Sequence, residues 1–523
     1  MTGCIIFKIV LILHGFSYDK VMNKIFQLCF CLLLMLYPSV LAANDYPKRE
    51  LRGVWVATVW GIDWPSKTGT SPSVISQQKE ELRSLLDRCR KLNLTTVYFQ
   101  VRSMGDVMYE SAIEPWSGFV SGRRGVSPGW DPLEFMVKEC HARGLECYAW
   151  VNPFRWSSGT DYDTAHDRKW KKQGWLLKWG KYTVFNPGLE EVRNHIVEVC
   201  REIVTGYDID GLVFDDYFYP NRIPENKDAA DHNLYIREAP WMSFGDWRRA
   251  NIHKTVADVS AMIRDTRPDV RFGISPAGVA GKHDTSAAKW GAEHCGVKAA
   301  DWQFREIYSD PLGWLYQGTV DFISPQLYWA TGHATAPFGP LAKWWSNTAN
   351  LYGTHFYSSV TLERIDQGSR SENIRDLGRQ ILTNREVSID GNLGFVIYSA
   401  KFLPAVERML AEGPFAYPSI TPQLFPARET PPAPDGLKLK GGILSWKPVA
   451  LGERGIVRYT VYEVPRNVSL SDAMAENGDG LSGDFLLGVT YDTEFMLPAN
   501  GRNRYAVCTL DGYSTESAPV WIE

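Results

Sequence analysis

The chain has 523 residues, 44% of them hydrophobic, and a formal net charge of −4. That length calls for two or three domains, and the apolar share excludes a disordered chain. The charge excludes a nucleic-acid binder, which needs a basic face.

Taken in chain order, the first feature is an export pattern. Met22-Asn23-Lys24 is a short basic segment, Ile25 to Tyr37 an apolar run, and Val40-Leu41-Ala42 a small-residue cleavage signal. We therefore expect a signal peptide over 1–43 with its true start at Met22 and a mature chain from Ala43 or Asn44. The run is shorter than the roughly 20 apolar residues of a membrane span. The expectation is secretion across the inner membrane, into the periplasm if the source is Gram-negative, with no stable membrane anchor after cleavage. Beyond this segment Cys89, Cys140, Cys147, Cys200, Cys295 and Cys508 are scattered. They form no CxxC pair and share no metal-like spacing with histidine, so they read as buried thiols, and neither a metal nor a cofactor is expected.

Residues 44–427 alternate apolar strands with amphipathic helices. The strands are predicted at Leu51–Val59, Thr95–Arg102, Glu146–Pro153, Gly211–Asp215, Val270–Pro276, Asp321–Tyr328, His355–Thr361 and Gly394–Ser399. Helical spacing appears over Ile75–Leu92, Pro132–Arg143, Leu189–Thr205 and Phe244–Thr266. Eight such strands fit a (β/α)8 TIM barrel. A doubly wound open sheet is the alternative, but no glycine-rich phosphate loop follows the first strand. Residues 428–434 are a stiff, proline-rich linker. Residues 435–523 then hold short strands at Gly442–Trp446, Arg458–Glu463, Phe485–Val489 and Asn503–Leu510, the spacing of a small all-β immunoglobulin-like sandwich. Trp446, Tyr459 and the segment Tyr505-Ala506-Val507 are similar to a fibronectin type III domain. The linker predicts a barrel that folds without this module.

Polar and aromatic residues recur where the barrel strands end: Trp60 and Asp63 after the first, Gln100, Arg102 and Asp106 at the second, Trp150, Asn152 and Arg155 at the third. Asp215, Asp216 and Tyr217 follow the fourth strand, Ser275 the fifth, and Gln326, Tyr328 and Trp329 the sixth. Core strands end in turn residues, so six such ends mark the C-terminal barrel face, where active sites form. Asp215-Asp216 is the sharpest signal, because unpaired carboxylates are costly to bury and open onto polar cavities. A plain Asx turn would explain one aspartate, not an adjacent pair beside three aromatics.

The ordered motifs Leu51-Arg52-Gly53-Val54-Trp55, Phe99-Gln100-Val101-Arg102, Ala149-Trp150-Val151-Asn152-Pro153-Phe154-Arg155, Phe214-Asp215-Asp216-Tyr217, Ile274-Ser275-Pro276-Ala277-Gly278 and Pro325-Gln326-Leu327-Tyr328-Trp329 resemble the glycosyl-hydrolase-like 10 family across the barrel. The resemblance implies a glycosidase fold and, from its best-understood branch, cleavage of peptidoglycan glycan strands stripped of stem peptides.

Glycoside cleavage needs one carboxylic acid for the leaving oxygen and a second group facing the anomeric carbon. Asp215 is the candidate nucleophile or stabilising carboxylate. Asp216 stands behind it, because successive side chains alternate. Asp63 or Asp106 is the candidate acid. Arg102 and Arg155 either pair with the aspartates or clasp a muramic carboxylate, and Trp60, Trp150, Trp156 and Trp329 offer sugar platforms. Asp210-Gly211 through Asp215 is also similar to the strand-four motif of family-18 chitinases, in which a substrate N-acetyl group is the nucleophile. Tyr217 stands where that family has its glutamate, and Tyr328 could orient the amide. The expected partner is a cell-wall polysaccharide. The competing readings are a barrel that binds carbohydrate without cleaving it and a hydrolase of another polysaccharide, and no glutamate is evident at a strand end.

Overall fold

The computed structural model describes residues 46–523 except 390, 392, 425–428, 453–454, 476–477, 499–502 and 523. The expected signal peptide, its cleavage site and the first residue of the linker lie outside the described residues.

Eight parallel strands alternate with helices. The strands are β1 (Leu51–Val56), β2 (Thr96–Arg102), β3 (Glu146–Val151), β4 (Gly211–Phe214), β5 (Arg271–Ile274), β6 (Phe322–Ile323), β7 (His355–Phe356, then Ser358–Thr361 after a break at Tyr357) and β8 (Gly394–Tyr398). The first half of β7 pairs with β6 and the second half with β8, while β8 pairs with β1, so the sheet closes into a barrel. A helix follows each strand: α1 (Pro72–Lys91), α2 (Pro132–His141), α3 (Glu190–Gly206), α4 (Phe244–Thr266), α5 (Pro311–Tyr316), α6 (Phe338–Leu351), α7 (Arg370–Val387) and α8 (Leu403–Ala411). Helical spacing is the reason: α1 buries Leu82, Leu86 and Cys89 on one stripe. The predicted ends of β1 and β3 to β6 run too far, because their polar ends leave the ladder to become loops over the barrel mouth.

Inward-pointing side chains follow a period of two and stack in layers. The middle layer packs Tyr98, Tyr148, Phe322 and Tyr357 into one buried cluster. Tyr98 and Tyr148 stack at 5.1 Å. Glycines make room for these rings: a Cβ on Gly211 would lie 2.7 Å from Tyr148, and one on Gly273 2.3 Å from Phe322. Two residues further along each strand, the same parity brings Trp55, Gln100, Trp150, Asp215 and Ser275 to the top layer.

Two residues back, the floor is polar. Glu146 and Arg271 are buried there and are closed from below by the C-terminal region. Among the described residues, that region holds seven strands, β9 (Asp435–Lys440), β10 (Ile443–Lys447), β11 (Arg458–Val464), β12 (Leu486–Thr490), β13 (Glu494–Met496), β14 (Arg504–Leu510) and β15 (Val520–Ile522). They form antiparallel sheets in the orders β9-β10-β13 and β12-β11-β14-β15. Arg458 of β11 pairs with Glu146, and Arg271 donates to Ser514 Oγ and Pro422 O, both at 2.7 Å. Tyr491 donates to Asp210 at 2.9 Å and stacks on His141 at 3.9 Å. Lys48 to Glu523 accordingly forms one compact unit. The six cysteines are buried and free.

Candidate active site

The top layer opens into a cavity of about 220 Å³ at the C-terminal mouth of the barrel, walled by Trp55, Trp60, Trp150, Tyr217, Tyr328 and Tyr398 among others. Ten of the expected residues line it: Trp60, Gln100, Trp150, Arg155, Asp215, Asp216, Tyr217, Ser275, Gln326 and Tyr328.

Asp215 keeps the inward parity of Val213. Its carboxyl accepts from Trp150 Nε1 at 2.9 Å and from Asn152 Nδ2 at 3.3 Å. Burial pushes its pKa up to about 7; Arg155 opposes that rise, and the neighbouring Asp216 charge adds to it. Asp216 also lines the cavity, because the chain has left the ladder and bends there, with Phe218 N donating to Asp216 O at 3.1 Å. Strict alternation would have turned it away. Burial raises its pKa as well, against a hydrogen bond from Gln326 and the charge of Arg155. The Arg155 guanidinium lies over the Tyr217 ring at 3.6 Å. Its backbone N–H donates to Asn152 Oδ1 at 2.9 Å. One buried carboxamide thus orients both the acid and the cation.

Other walls have supporting duties. Gln100 Oε1 accepts from Val59 N at 2.9 Å and Thr58 N at 3.1 Å, fixing the loop that carries Trp60. Trp60 adopts a left-handed φ of 53° and remains 61% exposed. That conformation costs a residue bearing a Cβ about 1–2 kcal/mol and holds the indole out over the mouth. Ser275 Oγ is buried at the wall without a hydrogen-bond partner among the described residues.

The structure places the other expected residues elsewhere. Asp63 lies beneath the first loop, where it accepts from Ala57 N at 2.7 Å, Ser399 Oγ at 2.7 Å and Lys401 N at 2.9 Å. Its acceptor sites are taken up in joining two loops. Asp106 pairs with Arg124 at 3.2 Å, away from the cavity. Arg102 meets neither aspartate: the register of β2 shifts between Gln100 and Arg102, a bulge that turns the side chain outward. There its Nε and Nη2 each donate to Glu114 at 2.7 Å. Burial resists ionisation of Glu114, but Arg102 and His195 more than offset it and hold its pKa below the usual range. Trp329 lines a separate hollow with Asp376 and Gln380, and Trp156 is buried on Asp167.

Five residues of the wall were not among the expected ones: Trp55, Val59, Ile62, Tyr398 and Glu363. Glu363 is an exposed carboxylate two residues past the end of β7. Following the inward parity of Tyr357 and Ser359 beyond the strand end would have found it. Among the described residues, no group of three or more His, Cys, Asp or Glu could hold a metal ion.

Residues 50–374 match the family described as glycosyl hydrolase-like 10. The chain belongs to the glycosyl hydrolase-like 10 family. It is 34% identical over 391 residues to the glycosyl hydrolase YngK of Bacillus subtilis, a match covering 73% of this chain and 75% of that protein. It is 33% identical over 347 residues to the glycosyl hydrolase DigH of Escherichia coli K12, covering 63% of this chain and 77% of the relative. Among solved structures, the glycoside hydrolase domain of PgaB from Bordetella bronchiseptica aligns with 69% of this chain and 99% of its own, at 14% identity and a TM-score of 0.44. As a member of this family the protein is a glycosidase with a polysaccharide substrate.

Proposed function

We propose that the protein is an exported glycosidase that cleaves peptidoglycan glycan strands lacking stem peptides, with Asp215 as the proton donor. The observation that carries this is the Asp215 carboxyl itself, buried between Trp150 and Asn152 yet facing an open aromatic cavity. A carboxyl that keeps its proton up to about pH 7 can protonate a glycosidic oxygen under ordinary conditions. This assigns Asp215 the acid's part, where its strand position alone suggested a nucleophile.

Asp216, beside Gln326 and Arg155, is the neighbour that faces the anomeric carbon or steers a substrate acetamide towards it. Tyr328, on the same wall, suits the acetamide. Glu363, two residues past the end of β7, supplies a further carboxylate at the cavity wall and would take the proton of the attacking water. Arg155 remains with the aspartate pair, stacked on Tyr217. The fibronectin-like module closes the barrel floor and leaves the mouth free.

The test is digestion of peptide-free and peptide-bearing peptidoglycan side by side, with mass spectrometry of the products. Soluble fragments from the peptide-free strands alone are expected, and none after Asp215→Asn. Equal release from both materials would remove the substrate assignment, and full activity of Asp215→Asn would remove the acid. Export is tested by N-terminal sequencing of the mature protein, expected to begin at Ala43 or Asn44. Retention of Ile25 to Leu41 would favour an anchored form.

A further inference from the structure

A second hollow of about 120 Å³ adjoins the cavity, and Arg155, Asp216 and Tyr217 line both. The rest of its wall is largely apolar and aromatic, including Tyr182, Tyr219 and Trp302. Tyr182 and Trp302 are each 36% exposed and Tyr217 is 51% exposed, so three rings keep open faces beside the reacting carboxylates. Rings of this kind along a channel with few polar groups suit the apolar face of a sugar.

Tyr182 belongs to a hairpin after β3, in which Leu176–Trp179 pairs antiparallel with Tyr182–Phe185. Tyr182 and Val184 both line the hollow, so that face of the hairpin looks onto it. Trp179, opposite Tyr182, shares the face, whereas Lys178, opposite Thr183, points to the other one. Residues 165–182 carry Arg168, Lys169, Lys171, Lys172, Lys178 and Lys181 against the single acid Asp167. Asp167 is buried on Arg124, and only Arg168 and Lys171 of the cations have an acidic partner, Asp163 and Asp161, among the described residues. Lys181 is exposed, with its ammonium 5.1 Å from the centre of the Tyr182 ring. A run of lysines is ordinarily just a solvated face. Here its last member, Lys181, stands beside Tyr182 in the wall of an aromatic hollow that adjoins the proposed reaction site, in a chain whose net charge is −4.

We infer that the second hollow is a subsite for further sugars of the same glycan strand, stacked on Tyr182, Tyr217 and Trp302, with Lys181 meeting carboxylates carried by the strand. The inference rests on the first cavity holding the scissile bond. It makes the enzyme one that grips sugars on both sides of the cut and favours long acidic strands.

The experiment measures binding in the full chain carrying Asp215→Asn. Calorimetric titration would use peptide-free peptidoglycan fragments of two, four and six sugars, with chitin oligosaccharides of equal length as neutral counterparts. The six-sugar acidic fragment should bind about tenfold or more tighter than the two-sugar one, and Trp302→Ala or Tyr182→Ala should each remove most of that gain. Lys181→Glu should weaken the acidic fragments several-fold and leave the chitin series unchanged, while Lys178→Glu, equal in charge but on the other face, should change neither. Tyr182 lies on an exposed hairpin, so its variant reports even if Trp302→Ala fails to fold. Affinity independent of length, a length gain that survives both aromatic variants, equal effects of the two lysine variants, or no glycan binding would each overturn the subsite. Turnover of the shortest fragments by the wild type tests the first cavity separately. Length-dependent binding without turnover removes the catalytic reading alone, and turnover without a length effect removes the subsite alone.

Discussion

Replacing Asp215 by asparagine should make the protein more stable while disabling it, and the gain should depend on pH in a definite direction. The carboxyl ionises at an ordinary 3.8 when unfolded and at about 7 when folded, because burial disfavours its charge. The folded chain therefore binds this proton more tightly. The stability linked to it is fully present below about pH 4 and is lost as pH rises through about 7. The difference of about three in pKa corresponds to about 4 kcal/mol at most, at 1.36 kcal/mol for each. An asparagine side chain at this position cannot ionise and keeps the shape, with hydrogen-bond changes at Trp150 and Asn152 costing about 1 kcal/mol. Urea unfolding of wild type and Asp215→Asn at pH 4, 6 and 8 reads the effect. The two should nearly coincide at pH 4, and the variant should pull ahead by about 2–3 kcal/mol at pH 8. A difference that does not change with pH would refute the claim that burial holds this proton. Turnover should fall about a thousandfold, and the wild-type kcat/KM should decline as pH rises through about 7.

Glu363→Gln should leave the melting temperature unchanged, since the side chain is exposed, and lower kcat by at least tenfold if Glu363 serves the water; an unchanged kcat removes it from the chemistry. Arg102→Lys cannot hold Glu114 with two parallel bonds and should destabilise the barrel by about 3 kcal/mol, read by urea unfolding. Arg458→Met leaves Glu146 buried without its cation and should cost about 3–5 kcal/mol, with Glu146→Gln in the same chain recovering part of it. A chain ending at Leu424 should aggregate or melt well below the full protein by circular dichroism; an unchanged barrel melt would restore the linker reading.

The barrel was legible because its inputs are local. Strand after strand carries buried β-branched and aromatic residues, and α1 to α4 show their period within single segments. The site was legible to the extent that polar residues at strand ends follow the inward parity of the strand, as Asp215 follows Val213. It failed where geometry departs from that parity. The bulge in β2 moves Arg102 outward, and the bend after β4 brings Asp216 inward. No residue type announces either. Glu363 was missed for the opposite reason: the parity continues, but two residues beyond where the strand stops. Asp63 and Asp106 show that overhanging a mouth differs from facing it, since each is consumed by loop contacts hundreds or tens of residues away.

The relation between the barrel and the C-terminal sheets was the least visible, because it is written in residues that look ordinary on each side. Glu146 and Arg271 begin their strands, where sequence offers no reason to bury a charge. Arg458 begins a strand of a separate sheet more than 180 residues after Arg271. Only the fold shows that these charges meet, with Ser514 accepting from both Arg271 and Arg458 at 2.7 and 3.0 Å. A buried ion left without its partner costs several kcal/mol, so the buried charges of the barrel floor depend on the C-terminal sheets. A proline-rich joint normally marks independence. Here it passes a chain that returns to the barrel and seals it, and the layers above the seal carry Trp150 and Asp215 on the same strands as Glu146 and Gly211. The buried contacts of Glu146 and Arg271 thereby join the C-terminal sheets to two strands of the barrel whose upper ends carry Trp150 and Ser275.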